Sequence, residues 1–86
     1  MKKSEQEIRN RILNFTKKRG PKKSVCPSEV TRDLFTDVWR DHLDEVKSVA
    51  GKLQNEKMIR VTQNGEDVNI DKARGPIRLS LYNSNE

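Results

Sequence analysis

Apolar residues at positions 39, 43, 46, 50 and 53 recur at spacings of 4, 3, 4 and 3, and from residue 59 onward the spacing becomes 2. The first pattern places side chains on one face of a helix, and the second alternates them across a strand. A chain that changes period in this way is neither all-helical nor all-β. The stripe of Trp39, Leu43, Val46, Ala50 and Leu53 predicts a helix that runs to about residue 55, capped by Thr36 or Asp37. Beyond it, Ile59 and Val61 alternate with Arg60 and Thr62, and Asn64-Gly65 marks a turn. Val68 and Ile70 alternate again, more weakly. After Gly75-Pro76 the clearest strand follows, with Ile77, Leu79 and Leu81 against Arg78, Ser80 and Tyr82.

The first third of the chain reads as two further helices. Ser4 with Glu7 has the spacing of a capping box, and Ile8, Ile12 and Phe15 then share a face. Gly20-Pro21 stops that helix, predicted over 4–19, because glycine accepts a left-handed cap and proline cannot continue. Lys22-Lys23-Ser24-Val25 is a short extended link. Cys26-Pro27-Ser28-Glu29 opens a second helix over about 27–35, with proline at the first helical position and a glutamate placed to reach back to the cap amide. Val30 and Leu34 point inward. The order helix, link, helix, helix, strand, turn, strand predicts an α+β fold, mainly α. It is a winged helix-turn-helix with three helices and a C-terminal β-hairpin wing, its strands near 59–63 and 77–82. The 86 residues make one such domain, 1–86, with an ordered core over about 4–82.

Only 31% of residues are hydrophobic and 36% are charged, yet the apolar ones are periodic, which argues for a small folded core over disorder. A single cysteine, Cys26, allows no internal disulfide and favours a reducing, cytoplasmic setting. No apolar run follows the N-terminal Met-Lys-Lys-Ser-Glu-Gln, so neither a signal peptide nor a membrane span is expected. The net charge of +5 is unevenly spread: residues 1–23 hold nine Lys/Arg against Glu5 and Glu7, whereas residues 24–56 hold four against seven acids. Clustered cations point to an anionic partner.

Several segments resemble a known family. Arg19-Gly20, Ser24-Val25-Cys26-Pro27-Ser28-Glu29-Val30, Trp39-Arg40, Ile59-Arg60-Val61-Thr62-Gln63-x-Gly65 and Arg74-Gly75-Pro76-Ile77-Arg78-Leu79 occur in this order. Together they resemble a family of small bacterial domains of unknown function taken to be winged-helix-like, over roughly residues 6–81. The resemblance implies the fold and no activity. Members usually have a glycine where this chain has Lys57, just before the first wing strand, and often an alanine where it has Thr31. The first departure leaves Asn55 as an alternative cap for the third helix.

Catalysis finds little support. Nucleophilic catalysis needs a Ser, Cys or Lys beside a base, and the lone histidine, His42, belongs to a different helix from Cys26. No H-E-x-x-H, C-x-x-C, G-x-S-x-G or phosphate-loop motif occurs. Neither a four-ligand metal set nor a cofactor motif is present, so a non-enzymatic protein without metal or cofactor is expected. Cys26 at a helix start could be redox-active, but a small, part-buried residue at a tight turn is the plainer reading. Trp39 could be a stacking platform; its place on the apolar stripe favours a core residue and the largest single share of buried apolar area. Glu29, Arg40 and Arg78, each inside one of the recognisable motifs, could be functional, but the plainer reading is an ion-pair cluster joining the second helix, the third helix and the wing.

Binding is the remaining function. The run Lys17-Lys18-Arg19-Gly20-Pro21-Lys22-Lys23 suits phosphate contacts, although cations at a helix C-terminus also complement the dipole. The outer face of the third helix carries Asp41, Asp44, Glu45, Ser48, Gly51, Lys52 and Asn55, with Arg40 and Lys47 on its flank. That acidic face opposes insertion into a DNA groove. One expectation is therefore nucleic-acid binding through Lys17, Lys18, Arg19, Lys22 and Lys23, the flank residues Arg40 and Lys47, and the wing residues Arg60, Lys72 and Arg74. The alternative is a protein-interaction winged helix that docks a partner on the acidic face or the wing. No membrane partner is expected.

Overall fold

A computed structural model describes residues 4–35 and 37–82. Helix α1 spans Glu5–Arg19 and starts as its capping residues dictate, with Ser4 Oγ accepting the Glu7 amide at 3.1 Å. Ile8, Ile12 and Thr16, four residues apart, form its buried face, and Phe15 is only half-buried. The Thr16 hydroxyl is satisfied internally by donating to the Ile12 and Leu13 carbonyls.

Helix α2 spans Pro27–Leu34, with Pro27 at its first position and Cys26 at the cap. Glu29 does not reach back to the cap amide as expected; its carboxylate accepts from Arg19 instead, at 2.8 Å. Thr31 is fully buried, and its hydroxyl donates to the Pro27 carbonyl at 2.7 Å. A threonine can therefore sit among apolar neighbours without an orphaned polar atom.

The third helix departs from the sequence expectation at its start. Residues Trp39–His42 form a 3₁₀ turn, and only then does helix α3 run, from Leu43 to Asn55. Four residues at 120° rather than 100° turn the chain by roughly 80° relative to a continuous α-helix. Trp39 thus falls off the buried stripe: it is half-buried and packs against the edge of the core, not at its centre. Asp37 caps neither segment, since Val38 and His42 hold those positions without side-chain cap bonds; Thr36 lies outside the described residues.

The end of α3 explains why a glycine would suit position 57. Asn55 is the last helical residue and not the cap. The Lys57 amide bonds the Gln54 carbonyl at 3.0 Å, the Met58 amide bonds that of Leu53 at 3.0 Å, and Lys57 takes φ 61°. These are the paired bonds of a Schellman termination, with a lysine in the left-handed position glycine usually fills.

Strand β1 (Ile59–Gln63) pairs antiparallel with both the two-residue β2 (Glu66–Asp67) and β3 (Arg78–Leu81), giving a three-stranded sheet of order β2-β1-β3. Asn64 and Gly65, both at positive φ, close the two-residue turn between β1 and β2. The expected link residue Val25 extends the pairing beyond β3. It exchanges two backbone hydrogen bonds of 2.7 Å with Leu79, and both residues are fully buried.

The weak alternation at Val68 and Ile70 is not a strand. After one more sheet bond, from the Val68 amide to Val61, the chain turns back over α3. The Gln54 side chain holds it there, donating to the Val68 carbonyl at 2.6 Å and accepting from the Ile70 amide at 3.1 Å. Ile70 is buried against Gly51, where a Cβ would lie 3.1 Å from its Cγ2. Gly51, expected on the outer face, is therefore sealed beneath this segment.

One hydrophobic cluster joins α1, α2, α3 and the sheet, with Ile12, Val30, Val46, Leu53, Val61 and Leu79 at its heart. No helix of the described residues is long and apolar enough to cross a membrane.

Candidate nucleic-acid interface

Lys17 and Lys18 occupy the last turn of α1, and Lys22 and Lys23 lie in the loop that follows. All four are exposed, and among the described residues none makes an ion pair. The helix places the first pair at its negative dipole end, and Gly20 with φ 77° turns the chain so that the second pair follows directly. Arg19 differs from its neighbours: it donates to Glu29 at 2.8 Å and to the Ser24 carbonyl at 3.1 Å.

Three other cations, on α1 and α3, are neutralised where they stand. Arg9 holds Glu56 at 2.5 Å, Lys52 holds Glu5 at 2.7 Å, and Arg11 pairs with Asp33. These bonds tie α1 to α3 and α2. The Arg9 guanidinium, by hydrogen bonding, holds the Glu56 carboxyl below the usual carboxylate range, and the same bond raises the pKa of Arg9. Basic charge is thus cancelled along the body of α1 and left standing at its C-terminal end.

The remaining expected contacts are scattered. Lys72 and Arg74 are exposed together in the segment leading to β3, whose backbone is anchored by the Gln63 side chain through the Arg74 and Pro76 carbonyls. Arg60 is committed to Asp67 through Nε at 3.1 Å and Nη2 at 2.8 Å, bracing β1 against β2. Arg40 is exposed and stacks over the Trp39 ring, its guanidinium carbon 5.1 Å from the centroid, with Arg32 at 4.8 Å. Lys47 is half-buried in a groove shared with Cys26, Leu43, Pro76 and Ile77.

The face of α3 and its preceding turn stays acidic. Asp41 and Asp44 are exposed, Glu45 is engaged with His42 Nδ1 at 2.9 Å, and Lys52 is spent on Glu5. The His42 ring stacks on Phe35 with centroids 3.9 Å apart. Cys26 Sγ lies 3.0 Å from Ser28 Oγ, and no group of three or more His, Cys, Asp or Glu among the described residues could hold a metal ion.

The expected cluster of Glu29, Arg40 and Arg78 does not form. Glu29 goes to Arg19, Arg40 to Trp39, and Arg78 to Ser24, with Nε donating to Oγ at 2.9 Å and Nη2 to the carbonyl at 3.1 Å. From its motif Arg78 reads first as an ion-pair partner, with a functional role as the alternative. Its alternation with buried Leu79 puts it on the outward face of β3, but only the Val25–Leu79 pairing brings it beside the basic loop.

A search of the curated proteins finds no match. A family model described as "Protein of unknown function (DUF3253)" matches residues 5–82, nearly the whole length of the chain, and the protein belongs to that family.

Proposed function

We propose that this protein is a winged helix that binds nucleic acid through phosphate contacts, without reading base sequence. The observation that carries the reading is the unneutralised quartet Lys17, Lys18, Lys22 and Lys23, in a chain where Arg9, Arg11, Arg19, Lys52 and Arg60 all have carboxylate partners. Solvated cations concentrated on one surface release counterions from a polyanion, and that term alone drives non-specific binding. Support for the winged-helix description comes from the Val25–Leu79 bridge, which adds a link residue between the first two helices to the edge of the sheet. Lys72 and Arg74 supply further cations on the wing.

Helix α3 is not the reading element in this proposal. Asp41 and Asp44 would face phosphate, and the Gly51 side of the helix is occupied by Ile70. The same acidic face favours the second reading, a protein partner docked on α3.

Titration against a random-sequence duplex at low and moderate salt tests the proposal. Wild type should bind weakly, with log K falling by about 0.9 per phosphate neutralised for each decade of salt. Replacing Lys17, Lys18, Lys22 and Lys23 with glutamine should abolish binding. Replacing Asp41 and Asp44 with asparagine and Glu45 with glutamine should tighten it. Absence of wild-type binding at low salt refutes the nucleic-acid reading and leaves the protein-interaction one.

A further inference from the structure

Three of the sequence segments singled out above meet at one point that the lysine quartet does not explain. Arg19, from the end of α1, and Arg78, from β3, both donate to the carbonyl oxygen of Ser24 at 3.1 Å. Their two donor nitrogens are therefore at most twice that distance apart. Two guanidiniums held so close repel one another, and a single carbonyl dipole does not cancel two charges. Glu29 balances Arg19 only, at 2.8 Å; among the described residues Arg78 has no carboxylate partner. Both arginines are exposed, and Lys22 and Lys23 lie in the same loop. Each guanidinium keeps donors unspent, because a guanidinium carries five and Arg78 uses its Nε and Nη2 on Ser24.

We infer that Arg19 and Arg78, braced on Ser24, form a seat for one phosphate group. The brace fixes both forks before any ligand arrives, which reduces the ordering cost of binding. A tetrahedral oxyanion can accept from both forks at once, and arginine suits this geometry better than lysine. Glu29 acts as the internal competitor for Arg19. The inference rests on the nucleic-acid reading for the source of the phosphate, a backbone phosphodiester, but the seat itself requires only the anion.

The test follows the Nε–Hε signals of Arg19 and Arg78 by NMR during titration with inorganic phosphate and, separately, with a random duplex. Wild type, Arg78→Gln, Arg78→Lys and Glu29→Gln are compared after circular dichroism confirms that each is folded. Both arginine signals should move in wild type. Arg78→Gln should weaken duplex binding about tenfold, in line with the loss of a charged hydrogen bond. Arg78→Lys should recover only part of the loss, since it restores charge without the fork. Glu29→Gln should tighten binding by freeing Arg19, whereas a purely architectural Arg19–Glu29 pair would show lower stability and unchanged affinity. Signals that respond to phosphate but not to duplex support the seat and remove nucleic acid as its ligand. Loss of duplex binding in the lysine quartet variant, with Arg78→Gln and Glu29→Gln both binding like wild type, keeps the nucleic-acid reading and overturns the seat. Arginine signals that move with neither probe overturn it as well.

Discussion

Replacing Lys57 with glycine should make the protein more stable, although it removes a charged side chain and adds backbone freedom. Lys57 sits at φ 61°, fixed by the Lys57–Gln54 and Met58–Leu53 amide bonds that end α3. A side chain bearing Cβ in that region costs about 1–2 kcal/mol relative to glycine. Glycine enlarges the unfolded ensemble, which offsets roughly 0.4–1 kcal/mol of the gain. Lys57 is exposed and makes no ion pair among the described residues, so little else is lost. The net expectation is a stabilisation of about 0.5–1 kcal/mol. For a domain of this size each kcal/mol corresponds to about 4–8 °C in Tm, so the variant should melt about 2–8 °C higher. Thermal unfolding followed by circular dichroism, with urea titration at 25 °C, measures both. Lys57→Ala is the control, because alanine keeps the Cβ and should melt close to wild type. A Lys57→Gly variant that melts at or below wild type would refute the argument that the left-handed cap is strained.

Three further outcomes follow from the packing and the ion pairs. Trp39→Ala should keep a cooperative unfolding transition, since the ring is only half-buried, while Leu53→Ala at the core centre should lose about 2–5 kcal/mol in urea titration. Gly51→Leu should force Ile70 off α3 at a cost of about 1–3 kcal/mol, seen as faster hydrogen exchange at the Ile70 amide. Glu56 has its folded pKa lowered by Arg9, so its stabilisation is present at neutral pH and is lost as pH falls through the acid range; the gap in urea midpoint between wild type and Glu56→Gln should shrink from pH 7 to pH 3.

Local patterns in the sequence located most of the elements, and they failed where a distant contact decides the conformation. The Ser4 cap, the Gly20 stop, the Pro27 start and the Asn64-Gly65 turn each depend on a few adjacent residues, and each stands where the residues place it. Trp39 has the right spacing for the stripe of α3 but belongs to a 3₁₀ turn, and spacing alone does not separate the two winds. Ile70 alternates with its neighbours like a strand residue, yet the Gln54 amide and the gap over Gly51 draw it onto the helix. The candidate site was legible in the same uneven way. Exposed lysines in a dense run are visible as charge, whereas the approach of Arg78 to Ser24 depends on a pairing between residues 54 positions apart.

That pairing also orders events in time. Val25 is synthesised long before Leu79, and until Leu79 appears the backbone groups of Val25 have no sheet to join. Helices α1 to α3 can form and associate as the chain emerges, but the surface that β1 and β3 cover remains open to water and to other chains. Completion of the fold during translation therefore waits until β3 is made, roughly 3–11 s after Val25 at ordinary elongation rates. A chain cut short anywhere before β3 is left as a set of helices with an uncovered apolar face, in a form suited to capture by a chaperone or protease.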